Sequence, residues 1–452
     1  MTDLTVLRHL AQSIFRRTLA AIDAETVVRA ALRRSGDTLT AGQTPYDLTR
    51  VSRLLVIAIG KAAATMTRGA IDALDTHISE GLMVTNAFDG APPPGFRVML
   101  GGHPLPNAQS VAAAGAALEM LRAADGDDTL VLFLISGGGS ALFEKPIDDS
   151  LTLEDLREVN RVLVGCGAVI GEMNVVRKYL SAVKGGRLAE AAPRARQVSL
   201  YISDVNSDDL ATIASGPTIA SRATVAELQR IVARFDLLNA FPARAADVLR
   251  RALAHTQAEQ PPNAGAHHLL LDNEIALARA ADIAREMGCA VEIAHDLVEG
   301  DVQEMAVAHL DHLADLGARH PGKTVCLLSG GEVICPVRGT GRGGRNQEFV
   351  LRAAIAMEQR GLTGTVVLSA GTDGIDGHSP AAGAIAGADT IARAHRQNLS
   401  AGALLDNSDS FTFFGALDDA LITGPTGNNV RDLRILLANA SSANSSMKNP
   451  PD

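Results

Sequence analysis

LVLFLISGGGS, residues 130–140, sets six apolar residues against a serine and three consecutive glycines. A run of that length suits a strand buried on both faces, and the glycines mark a turn where something approaches the backbone closely. Similar runs recur as LLVIAIG (54–60), LMVTN (82–86), RVMLGG (97–102) and VSLYISD (198–204). Between them lie Ala- and Leu-rich stretches of helical period, such as SVAAAGAALEMLRAA (110–124). This alternation predicts an α/β protein with a parallel sheet covered by helices on both faces. The second half restarts it with HHLLLDN (267–273), AVEIAHD (290–296) and TVCLLSGGE (324–332). TQAEQPPNAGA (256–266), polar with adjacent prolines, reads as a linker or surface loop. The expected domains are therefore 1–255 and 267–438. The low-complexity tail 439–452 has little to bury and reads as disordered.

The chain has 452 residues, 46% of them hydrophobic, enough for two cores. Its formal charge of −10 argues against a nucleic-acid or membrane-surface binder. An aromatic share of 3% with no Trp leaves no stacking platform for single strands. No apolar run approaches the roughly 18 residues of a membrane span. The start, MTDLTVLRHLAQSIFRRTLAAI, mixes charged and apolar residues like an amphipathic helix and lacks a secretory h-region. Cys166, Cys289, Cys326 and Cys335 form no CxxC pair, so buried thiols in a reduced, cytoplasmic protein are expected.

One short pattern is written twice. The first copy is LISGGGS (134–140), KGGRLAE (184–190), SLYISDV (199–205) and ASGPT (214–218). The second is LLSGGE (327–332), RGGRNQE (342–348), VVLSAGTDG (366–374) and TGPTG (423–427). Glycine amides at helix starts, arginines and strand-end carboxylates are the parts from which polyphosphate and metal sites are made. Each part also has a plainer reading as a βα turn, a helix cap or a solvated charge. Lys61 stands just past LLVIAIG, where a cation opposes the helix dipole unless an anion is near. Gly339, Gly341 and Gly344 satisfy G-x-G-x-x-G, yet no acidic residue follows at the ribose position, and Arg338, Arg342 and Arg345 suit a more highly charged ligand. Arg177, Lys178, Lys184 and Arg187 offer a basic stripe, and His103 follows another strand end. Asp204, Glu332 and Asp373 end strands and are candidates for Mg²⁺ ligands, or for the base that accepts a hydroxyl proton.

In order, LLVIAIGKAAATM, GGHPLPN, LISGGGSALFEKP, GEMNVVRKYLSAVKGGRLA, ISDVNSDDLATIASGPT, LLSGGEV, GRGGRNQEF, AGTDGIDG and ITGPTGNNVRDL resemble the signatures of the class II glycerate 2-kinases with a C-terminal MOFRL domain. The resemblance implies a Rossmann-like N-terminal domain, a smaller α/β C-terminal domain and an active site in the cleft between them. It implies ATP- and Mg²⁺-dependent phosphorylation of D-glycerate to 2-phosphoglycerate with release of ADP, with Lys61 and Arg345 as the catalytic pair. On that basis Ser136, Gly137, Gly138, Gly139, Ser140, Arg177 and His103 are expected to bind substrate. Lys184, Gly185, Gly186, Gly341, Gly343, Gly344 and Asn346 are expected to bind nucleotide, and Asp204, Glu332 and Asp373 the metal. Asn206-Ser207, Val333-Ile334 and Asn428 depart from the family pattern. A hydroxypyruvate reductase using NAD(P)H, and a non-catalytic ligand sensor, are the alternatives. Neither nucleic acid nor membrane is an expected partner, and oligomeric state is left open, a homo-oligomer included.

Overall fold

Glycine and threonine punctuate the segment after residue 31 into three short strands that sequence periodicity does not single out. In the computed structural model β1 (Leu32–Ser35), β2 (Thr38–Ala41) and β3 (Thr44–Asp47) form an antiparallel meander. The structure describes residues 3–205, 209–221, 223–254 and 265–439, arranged as two compact units.

Residues 24–270 make one unit. Its main sheet contains β4 (Arg53–Ile59), β5 (Glu80–Thr85), β6 (Phe96–Leu100), β7 (Thr129–Ile135), β8 (Arg196–Ile202) and β9 (Ala266–Leu271), in the order β6-β5-β4-β7-β8-β9. From β6 to β8 every pairing is parallel. All seven residues of β7 are buried, which is why its sequence lacks any polar alternation. Helix Ala108–Ala123 presents Ala113, Ala117 and Leu121, at spacings of four, to the core around Val131 and Phe133. Helices Leu153–Gly165, Ile170–Leu180, Val225–Arg234 and Ala243–Ala254 contribute to a second core around Leu163, Val176, Leu228 and Leu249.

The other unit holds β10 (Ala290–Ile293), β11 (Thr324–Ser329), β12 (Thr365–Gly371), β13 (Gly383–Gly387), β14 (Ala420–Leu421) and β15 (Asp432–Asn439). The order is β10-β11-β15-β12-β13-β14, and only β10 and β11 pair in parallel. The expected parallel sheet is therefore mixed here, because β15 returns antiparallel between β11 and β12. That insertion sets Asp432 opposite Gly371, and Arg434 opposite Ser329 and Ser369.

Residues 3–23 group with 271–439, not with the segment that follows them, whereas the sequence reading placed them in 1–255. Leu7, Ala11, Ile14 and Phe15 line one face of helix Asp3–Ala21 and join Leu277, Ala281, Leu433 and Leu437 in a shared core. Arg8 adds an ion pair to buried Asp419 at 2.8 Å. The linker expected over 256–266 lies outside the described residues except for its last two, of which Ala266 opens β9. The tail lies outside them except for Asn439, which ends β15.

Candidate active site

Where the order of the parallel sheet reverses, between β4 and β7, the chain leaves in opposite directions and opens a crevice at the strands' carboxyl ends. Gly60-Lys61-Ala62 follows β4, and Ser136 to Ser140 follow β7. The Lys61 amide donates to the Gly137 carbonyl at 2.9 Å, and the Ala62 amide to Ser136 Oγ at 3.1 Å. Ser136, expected to bind substrate, is a buried strut of the crevice wall whose hydroxyl accepts the Ala62 amide and donates to the Ile59 carbonyl.

The next four residues differ. Among the described residues nothing accepts from the amides of Gly137, Gly138, Gly139 and Ser140, and the Lys61 ammonium has no hydrogen-bond or ion-pair partner. Gly138, at φ 80°, lies against the Lys61 side chain and the His103 ring. Burial lowers the His103 pKa, and the charge of Lys61 lowers it further. A side chain on Gly137 would collide with the Asp204 carboxylate, so that acid closes one side of the loop. Four amides, one lysine and one histidine therefore lie at one loop, the donor types from which anion nests are made.

The rest of the first copy has other work. KGGR does not open a helix: it forms turns, and the amides of Gly185 and Gly186 donate to the carbonyls of Ser215 and Gly216 at 3.2 and 2.8 Å. Lys184, 2% exposed, pairs with Glu144 and donates to the Ser140 carbonyl at 2.9 Å. Its charge is already balanced, and it anchors the loop that carries the nest. Arg177 donates to Asn160 Oδ1 at 2.8 Å, and Arg187 donates to the carbonyls of Lys178, Ser181 and Lys184. The basic stripe is thus mostly internal scaffolding.

The second copy is built around Arg345, first residue of helix Arg345–Gln359. Its Nε and Nη2 donate to the two carboxylate oxygens of Asp432 at 2.6 and 2.9 Å, and Nη2 also reaches Glu332 at 2.9 Å. Burial opposes the guanidinium charge, but these carboxylates outweigh it and raise the pKa. Asp432 is fully buried and also accepts from Asn346 Nδ2 at 2.9 Å. Behind it, buried Arg434 holds the carbonyls of Gly330 and Gly331. Ser329 Oγ links Arg434 to His309, whose other ring nitrogen meets the Met305 carbonyl. Burial, and then the charge of Arg434, push the His309 pKa down to about 3. That imidazole is therefore a neutral spacer.

The helix start is not an open phosphate site. Asp376 accepts the amides of Asn346 and Gln347 at 3.1 and 2.9 Å, together with both side-chain amides. A protein carboxylate occupies the place expected for a nucleotide phosphate. The glycines are explained by packing: Gly339 and Gly341 lie against Asn407 and Asp409, Gly343 against Ser410, and Gly344 against Asp376. This also removes the dinucleotide reading of G-x-G-x-x-G. The true first βα turn, after β4, reads Gly60-Lys61-Ala62-Ala63.

Two family profiles match the chain: DUF4147, a domain of unknown function, over residues 10–250, and the MOFRL family over 325–432. A "D-glycerate 2-kinase" of Thermotoga maritima is 33% identical over 96% of this chain and 99% of its own length. The chain belongs to the class II glycerate 2-kinase family. A crystal structure titled as a glycerate kinase from Thermotoga maritima superposes with a TM-score of 0.84 at 32% identity, covering 96% of this chain and all of that one. A protein of Agrobacterium vitis named provisionally as a hydroxypyruvate reductase is 40% identical over 86% of this chain and all of its own length.

In this glycerate 2-kinase family member the expected metal ligands are divided between the units, Asp204 in residues 24–270 and Glu332 and Asp373 in the other. Among the described residues no group of three or more His, Cys, Asp or Glu is placed to hold a metal ion. Glu332 is paired with Arg345, while Asp373 accepts the Ile375 amide at 3.1 Å with one oxygen. Asn206, Ser207 and Asp208 lie outside the described residues. Among the departures, Val333 joins the core, Ile334 bonds to Gly300, and the Asn428 amide donates to Thr426 Oγ1. Sequence reading missed Asp432 and Arg434, and the capping role of Asp376. The signal available for the first two was a charge at each end of the short strand start Asp432-Leu433-Arg434, a costly place unless the charges are paired.

Proposed function

We propose that this chain is an ATP-dependent D-glycerate 2-kinase. The observation that carries the reading is the set of four unengaged amides at Gly137 to Ser140 beside the unpaired Lys61, among the described residues, at the switch point of a parallel sheet. Glycerate's carboxylate is an anion of the size such a nest accepts, and its 2-hydroxyl would then lie near Lys61 and Asp204. Asp204 is the candidate base for that hydroxyl. Lys61 and the remaining Nη1 of Arg345 are the candidate cations for charge on the phosphoryl group as it transfers, where fixed donors contribute most of the rate. Mg²⁺ would arrive with the nucleotide and neutralise phosphate charge, with Asp373 as its candidate carboxylate. The four cysteines are free, in keeping with a reaction in the cytoplasm.

A paired assay tests the activity: D-glycerate with Mg-ATP followed by ADP release, and hydroxypyruvate with NADH followed by cofactor oxidation. ADP release alone is expected. NADH oxidation without ADP release would replace the reading with the reductase suggested by the name of the Agrobacterium vitis relative. Lys61→Ala and Arg345→Ala are each expected to lower kcat by about 100-fold or more, and the double variant to be little worse than the weaker single, because groups acting on one transition state are not additive.

A further inference from the structure

Within the unit that holds Arg345, a cavity of about 490 Å³ opens beside the guanidinium. That volume lies in the range of small-molecule sites. Its lining mixes aliphatic residues with charged ones, the latter being Arg345 and the carboxyl residues Glu348, Asp373 and Asp376. Val333, Pro336, Val337 and Ile375 supply an aliphatic wall, and Val337 and Ile375 are 77% and 48% exposed. Arg345 also lines it, and of its guanidinium nitrogens Nη1 makes no hydrogen bond among the described residues. The wall is held in place from behind. The amides of Arg338, Thr340, Gly341 and Arg342 all donate to residues 407–409, at 2.9–3.2 Å.

A small hydroxy acid has no use for such a wall. D-glycerate carries oxygen on every carbon, so aliphatic contact would only remove its polar groups from water. A ligand with a flat, weakly polar ring at one end and anionic groups carrying a divalent cation at the other suits both kinds of lining, the anions meeting Arg345 and the cation the carboxylates. Resting on the kinase reading above, we propose that this cavity receives the nucleobase end of the nucleoside triphosphate, with the base against Val337 and Ile375 and the phosphates toward Arg345. The glycines of GTGRGGR then serve the nucleotide indirectly. They let the 338–344 segment close onto residues 407–410 and so shape the cavity, while Asp376 takes the helix amides.

The test uses full-length protein with Val337→Asp and Ile375→Asp, both at exposed positions where folding is not at stake. KM for ATP should rise at least about tenfold in each, as for other lost apolar pocket contacts, with KM for D-glycerate within about twofold. In calorimetry the parent should bind ADP at least tenfold more tightly than pyrophosphate, and the variants should lose that margin. Unchanged ADP affinity in both variants, or a rise in KM for D-glycerate alone, would overturn the proposal, as would equal binding of ADP and pyrophosphate by the parent. If the parent releases no ADP from D-glycerate and ATP, the kinase reading fails, and the calorimetric comparison still decides the cavity.

Discussion

Lys61 sits in the turn after β4 and Arg345 opens a helix, and their surroundings predict opposite costs of removal. The ammonium of Lys61 is unengaged among the described residues, so Lys61→Met should lose activity while its melting temperature stays within about 2 °C of the parent. Arg345 neutralises fully buried Asp432, so Arg345→Met should lose activity and also roughly 3 kcal/mol of stability, because it strips a partner from a buried charge. Equal thermal shifts in the two variants, read by calorimetry, would contradict this account. His103 reports on the same nest. Its pKa is held down by burial and by Lys61, so it should rise in Lys61→Met and on adding D-glycerate to the parent, as followed by NMR titration of the ring. The candidate roles of Lys61, His103 and the SGGGS glycines were legible in the sequence because strand ends and glycine runs are local signals. Asp432 and Arg434 were not, because their pairing depends on β15 inserting between β11 and β12.

Among the elements, helix Arg345–Gln359 depends on Asp376, which accepts two of its first amides from outside the helix. Burial raises the Asp376 pKa to about 6 against the hydrogen bonds that lower it. A carboxyl raised in the folded state keeps its proton to higher pH than the unfolded chain does. Its contribution to stability is therefore whole below about pH 4 and declines as pH rises to about 6, by about 3 kcal/mol at 1.4 kcal/mol per unit. The stability difference between the parent and Asp376→Asn should fall across that window in denaturant melts. A flat difference would show that Asp376 titrates normally. The loop after β7 is anchored differently, by the buried Lys184–Glu144 pair. Lys184→Met should destabilise by about 3–5 kcal/mol and leave KM for ATP near the parent value. A raised KM with unchanged stability would restore Lys184 as a nucleotide ligand. KGGR and RGGR look alike in sequence, yet one is consumed by carbonyls and the other is capped by an acid, a difference set by distant loops.

For the whole molecule, the chain's first helix belongs with its last strands. Phe15 is buried against the core of the unit containing residues 271–439, so Phe15→Ala should cost about 3–5 kcal/mol there. Hydrogen exchange should show lost protection in β12 and β15 while β4 and β7 keep theirs. Loss of protection in β4 and β7 alone would contradict the division.

By itself the sequence determined the α/β class, the parallel strands with their glycine turns, and the family. Each is written in contiguous residues, where burial on both faces leaves an uninterrupted apolar run and a close backbone approach demands glycine. Only the tertiary structure decided which of those glycine amides stay unengaged, that helix Asp3–Ala21 crosses to the second unit, and that the second sheet is mixed. An amphipathic helix records that it has a buried face without recording its partner, and a free amide differs from a capped one only through residues far along the chain. The glycine runs 137–139 and 343–344 are therefore alike as sequence, yet the first keeps unengaged amides while Asp376 takes the amides of Asn346 and Gln347 just after the second.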